Sequence, residues 1–308
     1  MEPRFSDDRA MVERLVERHL GLTVTAVQRV PSGVNDVVLV SCDDEQVVVR
    51  FNTIDALDEF RKEVWCIERA AEVRVGGPRV LGIGIDGRCA FLLESHVAGR
   101  RGDALSGTER HRVWHHIGHH LRRIHAVPVS GFGETSDDLA GDADHGASWR
   151  GYIDFNLSAL TPADPLLDLV GIDAATQARL RHTFESLRTA TFRFGLSHGD
   201  PSLSNAILGG DGVLRLIDWG EAHAHVVPQF DLGRILDAGL GEDSSEFRDV
   251  LDGYGLDAAA YGAIRPDLIA LRLLIATDKV RWAIDRKPER VPAKVETLRT
   301  LLTRWETT

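Results

Sequence analysis

The spacing of apolar positions predicts two helices and five short strands in the first part of the chain. Residues 10–19 place Met11 and Leu15 on one face at helical spacing, and residues 54–71 repeat this pattern over a longer stretch. Short runs rich in Val, Ile, Leu and Phe, each bounded by turn residues, predict strands over residues 24–30, 37–41, 47–51, 76–81 and 90–94. We expect these strands to form one antiparallel sheet.

From residue 108 onward the pattern is mainly helical. Apolar positions that recur every three or four residues predict helices over residues 108–126, 149–160, 174–189, 247–254 and 264–283. A chain of 308 residues can bury a substantial core, and two lobes are more natural than one. We therefore predict an N-terminal lobe over residues 1–97 and a C-terminal lobe over residues 98–308.

One stretch, residues 197–220, combines short strand patterns with three polar residues that can carry chemistry. Asp200 is followed five positions later by Asn205, and the Gly-Gly-Asp-Gly run at residues 209–212 predicts a hairpin that brings Asp218 back towards Asn205. Protein kinases space a proton-accepting Asp and two metal-holding residues in this way, and phosphoryl transfer needs little more than that positioning. The alternative is a surface turn that is rich in Asp and Asn.

The order of these residues, His-Gly-Asp, then Asn205, then Ile-Asp-Trp, resembles the aminoglycoside phosphotransferase and choline kinase superfamily. The resemblance covers residues 22–283 and implies an α+β, two-lobed protein-kinase-like fold, with a five-stranded antiparallel sheet and a helix in the nucleotide-binding lobe and a mainly helical second lobe. It implies that Asp200 is the catalytic base, that Asn205 and Asp218 hold Mg²⁺, and that ATP or GTP is the phosphoryl donor.

The same resemblance suggests residues that hold the nucleotide phosphates. The turn with Ser32 and Gly33 takes the place of the phosphate-covering loop, although alone it reads as a plain hairpin turn. Arg50 stands on the third strand where a lysine is the usual residue, and its planar fork would bind phosphate; the alternative is a solvent-facing arginine. Glu63 on the next helix is its expected partner, with Glu59 one turn away as the competitor.

Two further sets of residues follow from the resemblance. The segment after the fifth strand resembles a hinge whose backbone pairs with adenine, at Ser95 and Val97, and His198 and Asp231 would brace the catalytic loop. The acceptor pocket of antibiotic kinases is formed by inserted and C-terminal helices. Its candidate residues are Trp149, Asp154, Glu221, Asp278 and Trp282, and for Trp149 and Asp154 core or surface roles are open alternatives.

Composition excludes some classes of partner. A net charge of −11 argues against a nucleic-acid surface, which needs the opposite sign, and is compatible with a cationic acceptor. The most apolar stretch, residues 268–276, is too short to span a membrane and contains Arg272. The N-terminus lacks a secretory pattern and the three cysteines show no metal-ligand pairing, so we expect a cytoplasmic protein with reduced thiols.

Several alternatives remain open at this point. The helix over residues 108–126 carries the pairs His115/His119 and His116/His120, but these point in different directions without a third ligand, so we favour a polar face over a metal site. The resemblance suggests an aminoglycoside-type antibiotic as acceptor, and hence resistance. A kinase of an amino alcohol, a sugar or a homoserine-like metabolite is the first alternative, and a nucleotide-binding pseudokinase the second. We expect a monomer or a weak dimer.

Overall fold

The computed structural model describes residues 8–30, 35–43, 45–141 and 144–306. Its N-terminal elements are α1 (Arg9–Leu20), β1 (Val24–Val30), β2 (Asp36–Cys42), β3 (Gln46–Thr53), α2 (Leu57–Glu72), β4 (Val80–Asp86) and β5 (Cys89–Ser95). The strands form one sheet in the order β1-β2-β3-β5-β4, and every neighbouring pair is antiparallel. The predicted five-stranded antiparallel sheet is confirmed.

The two helices cover opposite faces of this sheet. Leu15 of α1 packs with Val40 and the other residues of one face, and Phe60 of α2 packs with Leu92 on the other. Successive side chains of a strand point to opposite faces, so a strand covered from both sides reads as a continuous apolar run. Every residue from Cys89 to Glu94 in β5 is buried accordingly.

The prediction of a strand over residues 76–81 is wrong at its N-terminal half, because β4 begins at Val80. Gly76 and Gly77 lie instead against the C-terminal part of the chain. The carbonyl oxygen of Gly76 accepts a hydrogen bond from the Leu216 N–H at 2.8 Å, and a Cβ on Gly77 would lie 2.9 Å from the Leu216 carbonyl oxygen. The two glycines therefore permit a close backbone contact between the two halves of the chain.

The remainder of the chain is mainly helical, as predicted. Its helices are α3 (Gly107–Ile124), α4 (Ser136–Ala140), α5 (His145–Ala159), α6 (Pro165–Val170), α7 (Ala174–Thr189), α8 (Gln229–Asp237), α9 (Ser245–Tyr254), α10 (Ala258–Arg286) and α11 (Val291–Glu306). The connection after α5 contains α6, because Asp164 caps the helix and Pro165 takes its first position. In the part of the chain that is described, no helix is long and apolar enough to cross a membrane.

Short strands build the frame of the predicted catalytic segment. They are β6 (Arg100–Arg101), β7 (Phe194–Ser197), β8 (Ala206–Leu208), β9 (Leu214–Leu216) and β10 (His223–Val226). Strands β8 and β9 form the predicted hairpin, with β6 on its other edge, and β7 pairs with β10. Residues 198–205 connect β7 to this hairpin.

Candidate active site between the sheet and the helical part

One buried carboxylate fixes the segment that holds Asp200. Asp231, in the first turn of α8, accepts hydrogen bonds from the backbone N–H groups of His198 and Gly199, each at 2.9 Å. The Nε2 atom of His125, at the end of α3, lies 2.8 Å from the same carboxylate. Burial acts to raise the pKa of Asp231, but its hydrogen bonds and the nearby imidazoles outweigh burial, so the pKa lies below its ordinary value.

Gly199 is required by the path of this loop. Its φ of +80° lies in the left-handed region, and a Cβ there would stand 2.0 Å from the carbonyl oxygen of Glu221. The Nε of Arg234 donates a hydrogen bond to the Gly199 carbonyl oxygen at 2.6 Å. The His198 ring is buried, which lowers its pKa, and its Nδ1 accepts a hydrogen bond from the Asp200 N–H at 3.4 Å. The loop is thus held on both sides of Asp200.

Asn205 links the loop to the hairpin. Its Nδ2 donates hydrogen bonds to Oδ2 of Asp200 at 2.8 Å and to the Asp200 carbonyl oxygen at 3.1 Å. Its own carbonyl oxygen accepts a hydrogen bond from the Ile217 N–H at 2.9 Å. Because Asp200 engages the amide nitrogen, the amide oxygen is the side-chain atom of Asn205 left for a cation.

Asp218 stands at the other end of the hairpin, next to Ile217. Its φ of +63° is uncommon for a residue other than glycine, and its side chain is 60% exposed. The following residue, Trp219, is buried, and its indole N–H donates a hydrogen bond to the Leu216 carbonyl oxygen at 3.2 Å. This anchor and the hairpin place the exposed carboxylate of Asp218 beside the Asn205 end of the loop.

Arg50 on β3 is buried among carboxylates. Its Nη1 donates a hydrogen bond to Oε1 of Glu63 and lies 3.7 Å from Oε2 of Glu94, while Nη2 lies 4.0 Å from Oδ1 of Asp218. Glu59 is exposed, so the structure pairs Arg50 with Glu63. Burial acts to lower the pKa of Arg50, and the two glutamates outweigh burial and raise it, so the guanidinium stays charged. Burial raises the pKa of Glu94 to about 7.

Ser95 and Val97 lie in the connection from the sheet to the helical part. The Ser95 N–H donates to the Arg79 carbonyl oxygen at 2.9 Å, and the next N–H, that of His96, donates to the Gln46 carbonyl oxygen at 3.1 Å. The Ser95 N–H is therefore already bonded, which leaves the Ser95 carbonyl oxygen as its backbone atom for a base contact. The other predicted nucleotide contacts, Ser32 and Gly33, lie outside the described residues.

The site thus offers a carboxylate on a fixed loop, two oxygen donors at the end of a hairpin, and a buried cation. Among the described residues, no cluster of three or more His, Cys, Asp and Glu side chains is placed to hold a metal ion. Carboxylate and amide oxygens such as those of Asp218 and Asn205 are ligands that Mg²⁺ takes together with substrate phosphates, so the donor set fits this cation.

Comparison with known proteins identifies the family. A family model described as the phosphotransferase enzyme family matches residues 26–266. The chain belongs to this family. This match confirms the prediction of an enzyme that transfers a phosphoryl group to an oxygen acceptor. It also confirms the predicted relation to aminoglycoside phosphotransferases. No curated protein sequence matches the chain.

Solved structures share the fold of this phosphotransferase. The complex of APH(2")-IIia with GDP and kanamycin is 17% identical, with a TM-score of 0.69 over 96% of this chain and 99% of that one. A ternary complex of aminoglycoside phosphotransferase APH(4)-Ia with ADP and hygromycin B is 18% identical, with a TM-score of 0.68 over 95% and 98%. Spectinomycin phosphotransferase APH(9)-Ia is 14% identical, with a TM-score of 0.61 over 94% and 93%. These likenesses confirm the predicted kinase-like fold.

Two of the predicted acceptor residues lie elsewhere in this phosphotransferase. Trp149 is a core residue, 2% exposed, whose indole N–H donates to the Leu187 carbonyl oxygen at 3.0 Å, so its assignment to a pocket is wrong. Asp154 forms an exposed ion pair with Arg188 at 2.6 Å, which joins α5 to α7.

The other three candidates, Glu221, Asp278 and Trp282, stay predictions. Glu221 is exposed and its backbone touches Gly199. Asp278 of α10 accepts a hydrogen bond from the Tyr152 hydroxyl at 3.1 Å, and burial raises its pKa. Trp282, one turn further along α10, is 43% exposed.

Three of the histidines of α3 make contacts within the protein. His111 and His115 pair with Asp249 and Asp252 of α9, at 2.5 and 3.2 Å, and His120 reaches the Leu214 carbonyl oxygen at 3.0 Å. They serve the contact between α3, α9 and β9.

Sequence reasoning missed three residues of the centre: His125, Lys62 and Glu94. His125 stands near the end of the helix predicted over residues 108–126 but carried no assignment. Lys62 precedes Glu63 and donates from Nζ to the Gly220 carbonyl oxygen at 3.0 Å. Lys62 could have been found from the sequence, because it directly precedes Glu63, the expected partner of Arg50. The sequence pattern gave no such signal for Glu94, which looks like any glutamate at the end of a strand.

Proposed function

We propose that this phosphotransferase moves the γ-phosphoryl group of ATP or GTP to a hydroxyl of a small molecule. The observation that supports it most is the meeting of three groups at one hairpin end: Asn205 contacts the Asp200 carboxylate at 2.8 Å, and the backbone of Asn205 bonds the residue before Asp218. In this proposal Asp200 accepts the hydroxyl proton while the oxygen attacks the γ-phosphorus, and the bond from that phosphorus to the bridging oxygen breaks to release ADP or GDP.

The remaining residues hold the nucleotide. Asp218 and the amide oxygen of Asn205 would bind Mg²⁺, which when bound neutralises charge on the β- and γ-phosphates. Arg50, fixed by Glu63, would hold the phosphates, and we keep Ser32 and Gly33 as the loop that covers them. The Ser95 carbonyl oxygen and the Val97 N–H are the expected contacts of the base.

Two acceptor classes follow. The first candidate acceptors are aminoglycoside-type antibiotics, because structures of the fold named above contain kanamycin or hygromycin B. Such an acceptor would make this a resistance enzyme. A small-metabolite kinase is the second candidate, favoured by Lys279, a half-buried lysine on α10, the helix that also carries the acceptor candidates Asp278 and Trp282. We propose that it works in the cytoplasm, as a monomer or weak dimer, where nucleotide is available and its three buried thiols stay reduced.

A nucleotide-consumption screen tests the proposal. ATP and GTP would each be offered with aminoglycosides, amino alcohols, sugars and hydroxy acids, and the product identified by the added mass of a phosphoryl group. We expect one acceptor class to be phosphorylated by the wild type and not by Asp200→Ala. A melting shift with nucleotide but no phosphorylated product from any acceptor would identify a pseudokinase instead.

A further inference from the structure

The segment after Asp218 passes directly against the loop that carries Asp200. The Glu221 carbonyl oxygen lies 2.0 Å from a Cβ built on Gly199, so only a glycine fits there. Glu221 comes three positions after Asp218, and Gly199 directly precedes Asp200. One backbone contact therefore links the two carboxylates to which we assign the metal and the acceptor proton.

His223, the first residue of β10, holds the Glu221 carbonyl in this contact. The ring Nδ1 of His223 lies 2.7 Å from the Glu221 carbonyl oxygen. A carbonyl oxygen can only accept a hydrogen bond, so Nδ1 must carry the ring proton. Burial lowers the pKa of His223, and the Glu221 carbonyl and Glu134, which raise it, do not offset burial. The ring is therefore neutral at pH 7, and its one N–H is spent on Glu221.

Neighbouring groups fix both the ring and the backbone of His223. The ring is buried, and its centroid lies 5.1 Å from that of His225 and 4.9 Å from that of Phe230, in edge-to-face contact with each. The Oγ of Ser197, at the end of β7, donates a hydrogen bond to the His223 carbonyl oxygen at 2.8 Å. A ring held in this way keeps its donor in one place, as the positioning of another group requires.

His225, two residues further along the same strand, shows a different use of its ring. It is buried as well, and it stacks on Phe230 with a centroid distance of 3.8 Å. Its Nδ1 accepts a hydrogen bond from the Val226 N–H at 2.8 Å. The two histidines thus share burial and an aromatic neighbour, but His225 bonds its own strand whereas His223 bonds the segment after Asp218.

We propose that His223 is a positioning residue for phosphoryl transfer. Its Nδ1–H fixes the Glu221 carbonyl against Gly199, and this contact holds Asp218 in register with Asp200. The inference rests on the proposed function, which gives the two carboxylates their roles. A displacement of about 1 Å between reacting groups can cost roughly 10²-fold in rate. Loss of the donor should therefore lower turnover rather than nucleotide binding.

Variants of the two histidines test this role. His223→Phe keeps an aromatic ring and removes the donor, whereas His223→Asn keeps a donor, because its amide nitrogen can take the place of Nδ1. His225→Phe is the matched control, since it also removes one ring-to-backbone hydrogen bond from the same aromatic cluster. If His223→Phe does not fold, His223→Gln, whose longer side chain misplaces the amide, replaces it in the comparison with His223→Asn.

Three measurements are made on each protein: turnover with the acceptor found in the screen, affinity for a non-hydrolysable ATP analogue by calorimetry, and exchange of the Gly199 amide hydrogen by NMR. We expect His223→Phe to lower kcat about 10-fold or more, with nearly unchanged affinity for the analogue. Exchange at Gly199 should become faster, because the loop opens more often. His223→Asn should recover most of both losses, and His225→Phe should keep near-native values of both.

Nitrogen NMR of isotope-labelled histidine adds a test that needs no activity, and it should place the proton of His223 on Nδ1. A proton on Nε2 in the wild type would overturn the role. Equal losses of kcat in His223→Phe and His225→Phe, or a His223→Asn enzyme as slow as His223→Phe, would also overturn it. Absence of transfer to every acceptor would refute the proposed function instead, and the exchange rates at Gly199 would still decide whether His223 positions the loop.

Discussion

Lys62 donates a hydrogen bond from Nζ to the carbonyl oxygen of Gly220 at 3.0 Å, across 158 residues of sequence. Lys62 is 7% exposed on α2, the helix that carries Glu63, and Gly220 lies two residues after Asp218. The bond joins the helix that fixes Arg50 to the backbone that presents Asp218 at its positive φ. A buried ammonium that lost this carbonyl would have no water to replace it, so the contact is a strong tie between the two halves of the site.

Lys62→Met should therefore disturb the presentation of Asp218. We expect kcat to fall about 10-fold, the size of one contact to a charged group. More Mg²⁺ should also be needed for half-maximal activity, with the acceptor KM little changed. Turnover measured over a Mg²⁺ titration checks this. Arg61→Met is the matched control, because Arg61 is exposed and donates a hydrogen bond to Asp58 in the same helix. A Lys62→Met enzyme with the wild-type Mg²⁺ profile would make the lysine a purely structural anchor.

The local order of the chain was sufficient to predict the hairpin and the meeting of its two ends. The turn at residues 209–212 and the apolar runs on each side of it predict β8 and β9. The pairing of these two strands brings Asn205 next to Ile217, and this does not depend on the rest of the fold. The antiparallel sheet was predictable for the same reason, since strand period and turn residues are local signals.

Contacts between distant segments could not be predicted in this way. The helical spacing of Trp149 is compatible with a position in a cleft and with a position in the core. The packing of α5 against α7 places it in the core. The local pattern predicts a strand from Gly76 onward. The close approach of Gly76 and Gly77 to Leu216 takes these residues out of the sheet, and β4 begins only at Val80. In each case the deciding neighbour lies far away in sequence.

Asp200→Ala should leave nucleotide affinity nearly unchanged and lower kcat by roughly 10²-fold or more, the size of a general-base and positioning contribution. Calorimetry with an ATP analogue and turnover with the acceptor found in the screen measure the two effects. Asp211→Ala, which removes a carboxylate from the turn of the same hairpin, should keep near-native turnover. Near-native turnover in Asp200→Ala would remove Asp200 from the role of base.

Arg50→Ala should weaken nucleotide use strongly, because Arg50 is the buried cation next to Asp218. Arg50→Lys should restore only part of it, since a point charge cannot reproduce a two-pronged contact. Glu63→Gln should give a milder form of the defect, and Glu59→Gln, at an exposed position of the same helix, should do little. Steady-state kinetics with varied ATP decide the matter: equal effects at Glu59 and Glu63, or full activity in Arg50→Ala, would refute the pair.

Asp231→Ala should destabilise the protein by about 3 kcal/mol or more, because it leaves two buried backbone N–H groups and the His125 ring without their acceptor. Urea unfolding measures the change in free energy of unfolding. Asp243→Ala, at an exposed position, should change it by no more than about 0.5 kcal/mol. Similar stabilities for the two variants would mean that Asp231 does not brace the loop.

Glu94 should make stability depend on pH around neutrality. Its pKa is about 7 in the folded protein, raised by burial from an ordinary 4.5. Between these two values the folded chain holds a proton that the unfolded chain has lost, so the free energy of unfolding should fall as pH rises through this window. Above it the folded protein carries a buried charge, and Glu94→Gln, which removes that charge, should be the more stable protein, by at most about 3 kcal/mol at pH 8.

Urea unfolding of the wild type and Glu94→Gln at pH 5, 6.5 and 8 measures this difference, with Glu59→Gln as the exposed control. The advantage of Glu94→Gln should be largest at pH 8 and shrink towards pH 5, where the wild-type side chain is neutral in the fold, because Gln then closely resembles a protonated Glu. Glu59→Gln should show no such trend. A Glu94→Gln variant that is less stable than the wild type at pH 8 would mean that Glu94 stays charged there and that its attraction to Arg50, 3.7 Å away, outweighs the cost of burial.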